Sequence, residues 1–405
     1  IRTDLPYRRT WAVLLALPLV IPSYVGAYLL ISALGPRGLL QQVLAGVGGI
    51  QRLPSIYGFP GALVALTLMS YPYTFMGVRA ALARLDPSLE EASRSLGHSS
   101  WGTFFRVTLP QLRPALASGS LLVALYALRD FGAVSIMRYN TFTRVIYVQY
   151  QSSFDRTTAA ALALVLVTLT LAILWLEART RRRSVYYRST PGTMETRIVT
   201  RVGRWRWPAL LFCGGVVVIS LVLPAVVLLY WLVRGLQMGE RLSPLGMVTV
   251  NSVAAAALAA FVTLIAALPL AVIAVRHSSK RLSHWLERAT YVGFALPGVV
   301  VALALVFFSA NFVRSLYQTF ALLIEAYLIL FLPQAVGAVC TSLLQVRPGL
   351  EETARSLGLR PWDVFVRVTV PLVRPGMMAG GMMVFLTTMK ELPATLILSP
   401  FGFKT

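Results

Sequence analysis

Apolar residues gather into long runs along this chain, and polar residues collect in the segments between them. The runs near 11–34, 60–83, 115–136, 158–176, 208–232, 250–275, 289–310, 320–344 and 376–398 each approach the roughly 17 to 25 residues that a helix needs to cross about 30 Å of hydrocarbon. The pattern predicts an all-α, polytopic membrane protein with roughly nine spans. Pro18, Pro22, Pro72, Pro224, Pro269, Pro297, Pro333 and Pro393 lie within these runs. Membrane helices tolerate proline where neighbouring helices or water satisfy the freed carbonyls, so kinks are expected there.

One polar segment occurs twice. "EEASRSLGHSSWGTFFRVTLPQLRP" (90–114) returns as "EETARSLGLRPWDVFVRVTVPLVRP" (351–375), at an offset of 261. From Pro87 to Pro114, 16 of 28 positions are identical in the second copy, which identifies a duplication. Pro87 and Pro348 suit the first position of a helix, and Glu90, Glu91, Glu351 and Glu352 fall in its first turns, where the macrodipole favours negative charge. Gly97 and Gly358 supply the left-handed residue that ends it. A second short helix is expected to carry Trp101, Phe104 and Arg106, or Trp362, Phe365 and Arg367, before Pro110 or Pro371 breaks the chain. Each copy therefore reads as a helix–turn–helix at the membrane surface, with aromatic anchors at the interface and carboxylates pointing away.

Six predicted spans separate the two copies, so both face the same side and the repeat is parallel. The segments on that side, 177–208 and 276–288, are strongly basic, whereas 35–54 and 233–249 are poorer in Lys and Arg. The excess places the repeated segments in the cytoplasm, although the opposite loop 137–157 carries Arg138, Arg144 and Arg156. The polar, basic stretch 177–207 reads as a solvated linker near anionic lipid, dividing a first unit (1–176) from a second (208–405). The first holds four predicted spans and the second five. A six-span unit fits both if opening helices are missing from the first and the last helix from the second, and both chain ends are expected to be incomplete.

Composition agrees. Residues AVILMFWYC make up 57% of the chain, only 13% is charged, and the mean hydropathy is +0.71. The net charge of +22 does not indicate nucleic acid, because the basic residues lie in short inter-span segments rather than on one globular face. Cys213 and Cys340 fall in apolar runs and support neither a disulfide framework nor a metal cluster. The lysines, Lys280, Lys390 and Lys404, include none in a G-x-x-x-x-G-K-[ST] phosphate loop. His98, His277 and His284 have no nucleophile or carboxylate arranged with them, so surface roles are expected and no enzyme is predicted.

"EASRSLG" followed by nine residues and "VTLP" (91–110), and "ETARSLG" followed by nine and "VTVP" (352–371), resemble the EAA loop of binding-protein-dependent ABC importer permeases. Ser93 replaces the second Ala of that signature and Thr353 the first; Val107, Val368 and Val370 replace Ile or Leu. None changes charge or turn geometry. The resemblance implies two tandem type I (MetI-like) permease units of up to six transmembrane helices each, in a bacterial inner membrane. It implies that each loop docks into a separate cytoplasmic ABC ATPase subunit, with Glu90, Glu91, Gly97, Glu351, Glu352 and Gly358 in the coupling segments. Glu91 and Glu352 would contact the ATPase, and Gly97 and Gly358 would fix the bend. ATP and Mg would then be bound by the two ATPase partners, and no cofactor is expected in this chain.

After each loop comes an adjacent charge pair at equivalent positions, Arg129-Asp130 and Lys390-Glu391. At about 1.5 Å per residue, roughly 15 residues place them about 22 Å into the following span. Ionisable residues there indicate a solute pathway or a structural ion pair, and Glu325, alone in another span, invites the same two readings. "DFG" and "FTRVIY" in the first unit, with "KELPATL" and "PFGFKT" in the second, are similar to fused permeases of ferric-iron importers. That resemblance implies a periplasmic or lipid-anchored binding protein delivering Fe(III). Related fused permeases carry thiamine or other small solutes, so that alternative stays open. Asp130 and Glu391 would offer the oxygen ligands that hard cations prefer, while Arg129 and Lys390 would oppose a cation. The run "GMMAGGMMVF" (376–385) is soft and reads as helix packing. A stand-alone secondary transporter or channel is the reading of a different class; it gives no reason to duplicate a polar loop.

Overall fold

The computed structural model describes residues 3–36, 38–48, 54–153, 155–182, 203–239, 243–276, 293, 296–400 and 402–403. Among them the chain is helical and forms two compact units, Ile1–Glu240 and Arg241–Thr405. The first contains α1 (Arg8–Leu14), α2 (Ser23–Leu34), α3 (Leu39–Gly48), α4 (Phe59–Arg84), α5 (Pro87–Ser95), α6 (Ser100–Thr103), α7 (Leu109–Arg129), α8 (Gly132–Ile136), α9 (Phe142–Gln151), α10 (Arg156–Arg182), α11 (Arg206–Val217) and α12 (Leu223–Gln237). The second contains α13 (Ser243–Arg276), α14 (Gly298–Phe312), α15 (Phe320–Leu343), α16 (Pro348–Ser356), α17 (Pro361–Val364), α18 (Val370–Thr388) and α19 (Pro393–Leu398).

Among the described residues, six helices are long and apolar enough to cross a membrane, or seven if one bent pair counts as a span. They account for the expected spans at 60–83, 158–176, 208–232, 250–275 and 320–344, and for most of 376–398. Three expectations need correction. The run at 11–34 is two helical pieces, Arg8–Val20 and Ser23–Gln42, bent by 98°. Pro22 forces Ile21 into an extended conformation (ψ 124°) by excluding the helical region for the residue before it. The run at 115–136 stops at Arg129, and 376–398 stops at Thr388; in each a second, short helix follows. The described part of 289–310 is the 15-residue α14.

Pro110 and Pro371 do not break the chain as expected. In both copies one wide turn precedes the proline, and the Leu109 and Val370 N–H groups reach back five residues to the carbonyls of Phe104 and Phe365. The same device precedes Pro224, where Leu223 N–H bonds to Val218 O. A proline lacks its own N–H and its ring collides with the carbonyl four residues earlier. One π turn relieves that conflict without ending the helix, so 361–388 is a single span.

Within each unit the helices that flank the repeated loop lie against each other, α4 on α7 and α15 on α18. Lipid tails are as apolar as these side chains, so close packing rather than expulsion from water must hold such pairs. Equivalent glycines make the approach possible: an added Cβ at Gly119 would come 2.9 Å from Thr74 Cα, and at Gly380 3.3 Å from Ala335 Cα. In the second unit α13 covers this pair, with Ala259 and Ala267 in the core beside Leu322, Leu323 and Leu330.

Packing and sequence repeat divide the chain at different places. Helix α12 follows the linker yet belongs to the first compact unit. Its Val227 is buried with Leu29 and Ala33 of α2, and Trp231 Nε1 donates to Ser32 Oγ at 2.6 Å. Most of the predicted linker, 183–202, lies outside the described residues, as do His277, His284, Lys280 and Lys404.

Candidate functional site

The two repeated loops have one geometry. Helix α5 begins with Asp86 accepting from Ser88 N–H at 2.9 Å. It ends in a paired closure, with Gly97 N–H bonded to Arg94 O at 2.9 Å and His98 N–H to Ser93 O at 3.3 Å. Helix α16 ends identically, through Gly358 to Arg355 O at 2.9 Å and Leu359 to Ala354 O at 3.3 Å. Gly97 and Gly358 sit at φ +84° and +88°, the left-handed region where a Cβ is strained. The turn thus stands where the two glycines were expected to fix it. Across it, Ser93 and Thr103 share a buried hydroxyl contact of 3.1 Å. In the second loop the equivalent residues are Ala354 and Val364, both buried, so an apolar pair replaces a polar one of similar size.

The four glutamates divide into two kinds. Glu90 and Glu351 turn inward: Thr108 Oγ1 donates to Glu90 Oε1 at 2.9 Å, and Thr369 Oγ1 donates to Glu351 Oε1 at 3.0 Å. Both threonines end the π turns described above, so the widened backbone that accommodates the proline also presents the hydroxyl. Glu351 further accepts a fork from Arg276 at the end of α13, Nε to Oε2 at 3.1 Å and Nη2 to Oε1 at 3.1 Å. Arg276 Nη2 also donates to Val346 O at 3.2 Å. Glu91 and Glu352 are exposed. Beside them stand exposed Leu89 and Leu350, Trp101 and Trp362, and Leu96 and Leu357, the last two each 79% accessible. Trp101 stacks on Phe105 at 6.0 Å, and Trp362 leans on Phe365 at 5.5 Å. His98 is at the surface, its Nδ1 3.4 Å from Arg106 Nη1.

Thr108 and Thr369 were not singled out from sequence, although each lies 18 residues after its glutamate and is identical in both copies. That identity was the available signal. Arg276 carries none, because it lies outside the repeat.

The charge pairs lie at helix ends rather than within unbroken helices. Asp130 leaves α7 in an extended conformation and caps α8, its Oδ1 accepting from Ala133 N–H at 2.9 Å and Val134 N–H at 3.4 Å. Ser23, at the start of α2, also bonds its carboxylate. Thr143 Oγ1 donates to its backbone carbonyl at 2.6 Å. In the second unit Glu391 Oε1 accepts from Ala394 N–H of α19 at 3.4 Å, and its carbonyl accepts from Thr395 Oγ1. The start of α14 lies so near that a Cβ added at Gly298 would overlap Glu391 Oε1. Each unit therefore has one carboxylate that caps the short helix after it through backbone N–H groups and lies beside the start of a second helix, α2 or α14. Arg129 is half-buried near Tyr73, Lys390 is half-buried in the turn before Glu391, and Glu325 is half-buried on α15. In the methionine run, Met377 packs beside Leu343 and Val373, whereas Met378, Met382 and Met383 are exposed on this unit.

Residues 5–185 and 267–403 match the model of the binding-protein-dependent transport system inner membrane component family. The chain belongs to this family. It is 39% identical over 350 residues to the Fe(3+)-transport system permease protein FbpB 2 of Haemophilus influenzae, covering 86% of this chain and 69% of the relative. It is 26% identical over 406 residues to the putative ferric transport system permease protein FbpB 1 of the same organism, covering 94% and 63%. The molybdenum transport system permease protein ModB of Escherichia coli is 35% identical over 133 residues, 33% of this chain and 57% of that relative. The chain thus spans about two thirds of the ferric permeases it matches. Family membership accounts for a polytopic membrane permease of binding-protein-dependent transport.

Proposed function

We propose that this chain is the permease subunit of an ATP-driven ABC importer that moves Fe(III) inward from a periplasmic or lipid-anchored binding protein. Its two loops face the cytoplasm and engage two separate ATPase subunits, which bind ATP and Mg and carry out hydrolysis; the permease itself catalyses no reaction. The supporting observation is the matched construction of the loops. In each, the first glutamate is drawn inward to a threonine, while the second stands exposed beside two leucines and a tryptophan. Two equal surfaces of that kind suit two equal partners. The iron assignment is supported by two relatives named for ferric transport that align over most of the chain.

Charge reversal at both exposed positions, Glu91→Lys with Glu352→Lys, tests the coupling. ATPase copurification and ferric uptake should fall while the permease still inserts and elutes as a folded species. Normal copurification with normal uptake refutes the assignment. Uptake of labelled Fe(III) compared with thiamine tests the cargo, and thiamine transport without iron transport would reassign it.

A further inference from the structure

An open groove of about 530 Å³ lies between α1 and the end of α4, lined by Arg8, Arg9, Ala12, Val13, Met76, Arg79, Ala80 and Ala83. Among the described residues its charge is of one sign: three arginines and no carboxylate line it. Its wall is apolar, and Val13 and Met76 are both exposed. Arg79 is held across the groove by its Nη1, which donates to Ala12 O at 3.4 Å. Arg79 lies four residues before the end of the candidate span Phe59–Ala83, about 6 Å along the axis. A guanidinium at that depth reaches toward the headgroup layer while its stem lies along the hydrocarbon.

We propose that this groove is a binding site for an anionic phospholipid, its headgroup phosphate among Arg8, Arg9 and Arg79 and an acyl chain along Val13, Met76, Ala80 and Ala83. A charged collar above an exposed apolar wall matches a lipid, whereas a soluble phosphate would use only the collar. Basic pockets between membrane helices recognise lipid headgroups in this way. The site belongs to the first unit alone, because the positions equivalent to Arg79, Met76, Ala80 and Ala83 at the repeat offset are Cys340, Gly337, Thr341 and Leu344. With the repeated loops in the cytoplasm, as proposed, the lipid belongs to the inner leaflet; the binding itself does not depend on that orientation.

The test uses the full chain in detergent, titrated with phosphatidylglycerol, phosphatidylcholine or inorganic phosphate, and reads retained lipid by native mass spectrometry. Phosphatidylglycerol should bind in preference to phosphatidylcholine. At about 1 kcal/mol per basic side chain near an anionic surface, each arginine removed should weaken it roughly fivefold. Arg8→Gln with Arg9→Gln should therefore lower the preference by about 25-fold, leaving the Arg79 to Ala12 bond in place. Arg79→Gln is the second variant, and Arg314→Gln, in the other unit, should change nothing. Equal retention of the two lipids by the unsubstituted chain overturns the proposal. So does an undiminished preference in Arg8→Gln/Arg9→Gln, or displacement of the lipid by millimolar inorganic phosphate.

Discussion

Replacing Glu351 by alanine should destabilise the second unit, whereas the same change at its neighbour Glu352 should not. The side chains of Glu351 and Arg276 are 11% and 15% accessible. Among the described residues, removing the carboxylate leaves the guanidinium with its bond to Val346 O, and leaves Thr369 Oγ1 without its acceptor. Breaking a buried pair by deleting one partner costs about 3 to 5 kcal/mol, and the residual accessibility argues for about 3. That is roughly two powers of ten in the folded-to-unfolded ratio. Thermal unfolding of the purified permease in detergent reads the difference, with ATPase copurification measured in parallel. Glu351→Ala should lower the midpoint by several degrees, and Arg276→Met with Glu351→Leu should restore much of the loss, because an apolar pair of similar volume removes the stranded charge. Glu352→Ala should keep the midpoint and weaken ATPase association. Equal midpoints for the two single variants, or no rescue in the double one, would refute the division of roles between adjacent glutamates.

The other predictions concern the turns and caps. Gly97→Ala and Gly358→Ala should each cost about 1 kcal/mol or more through the left-handed φ alone, since no atom lies within 4 Å of the added Cβ; unfolding midpoints check this, and unchanged values would mean that the turn relaxes freely. Asp130→Asn keeps an acceptor for Ala133 N–H and should be tolerated, while Asp130→Ala strands buried donors and should cost about 1 to 3 kcal/mol and lower uptake. If Asn and Ala variants behave alike, the capping role is wrong. Gly298→Ala should impair folding or uptake by displacing Glu391, and a larger defect than in Gly349→Ala, where the added Cβ meets nothing, is the expected contrast.

The apolar runs and the repeat are legible in the sequence alone. Membrane-crossing length, the duplicated loop and the glycine stops all depend on local chain chemistry, which a linear sequence displays directly. Where the chain bends was less legible, because a proline in an apolar run can be met in different ways. At Pro22 the backbone turns by a large angle, while at Pro110, Pro224 and Pro371 a single π turn carries the helix through. The roles of the carboxylates were least legible. Asp130 and Glu391 read as charges inside spans, and only the ends of α7 and α18 reveal them as caps of the following helices.

The sequence by itself determined a helical membrane protein with one polar loop present in two copies, because hydrophobic length and repeated residues need no partner to be recognised. The tertiary structure decided which glutamate of each pair faces inward, what Arg276 holds, and that α12 packs with the first unit. Those outcomes depend on residues far apart in the chain: 75 positions separate Arg276 from Glu351, and 199 separate Trp231 from Ser32. Hydrogen bonds and ion pairs of that kind exist only once helices have packed, so their donors and acceptors carry no mark in the local pattern.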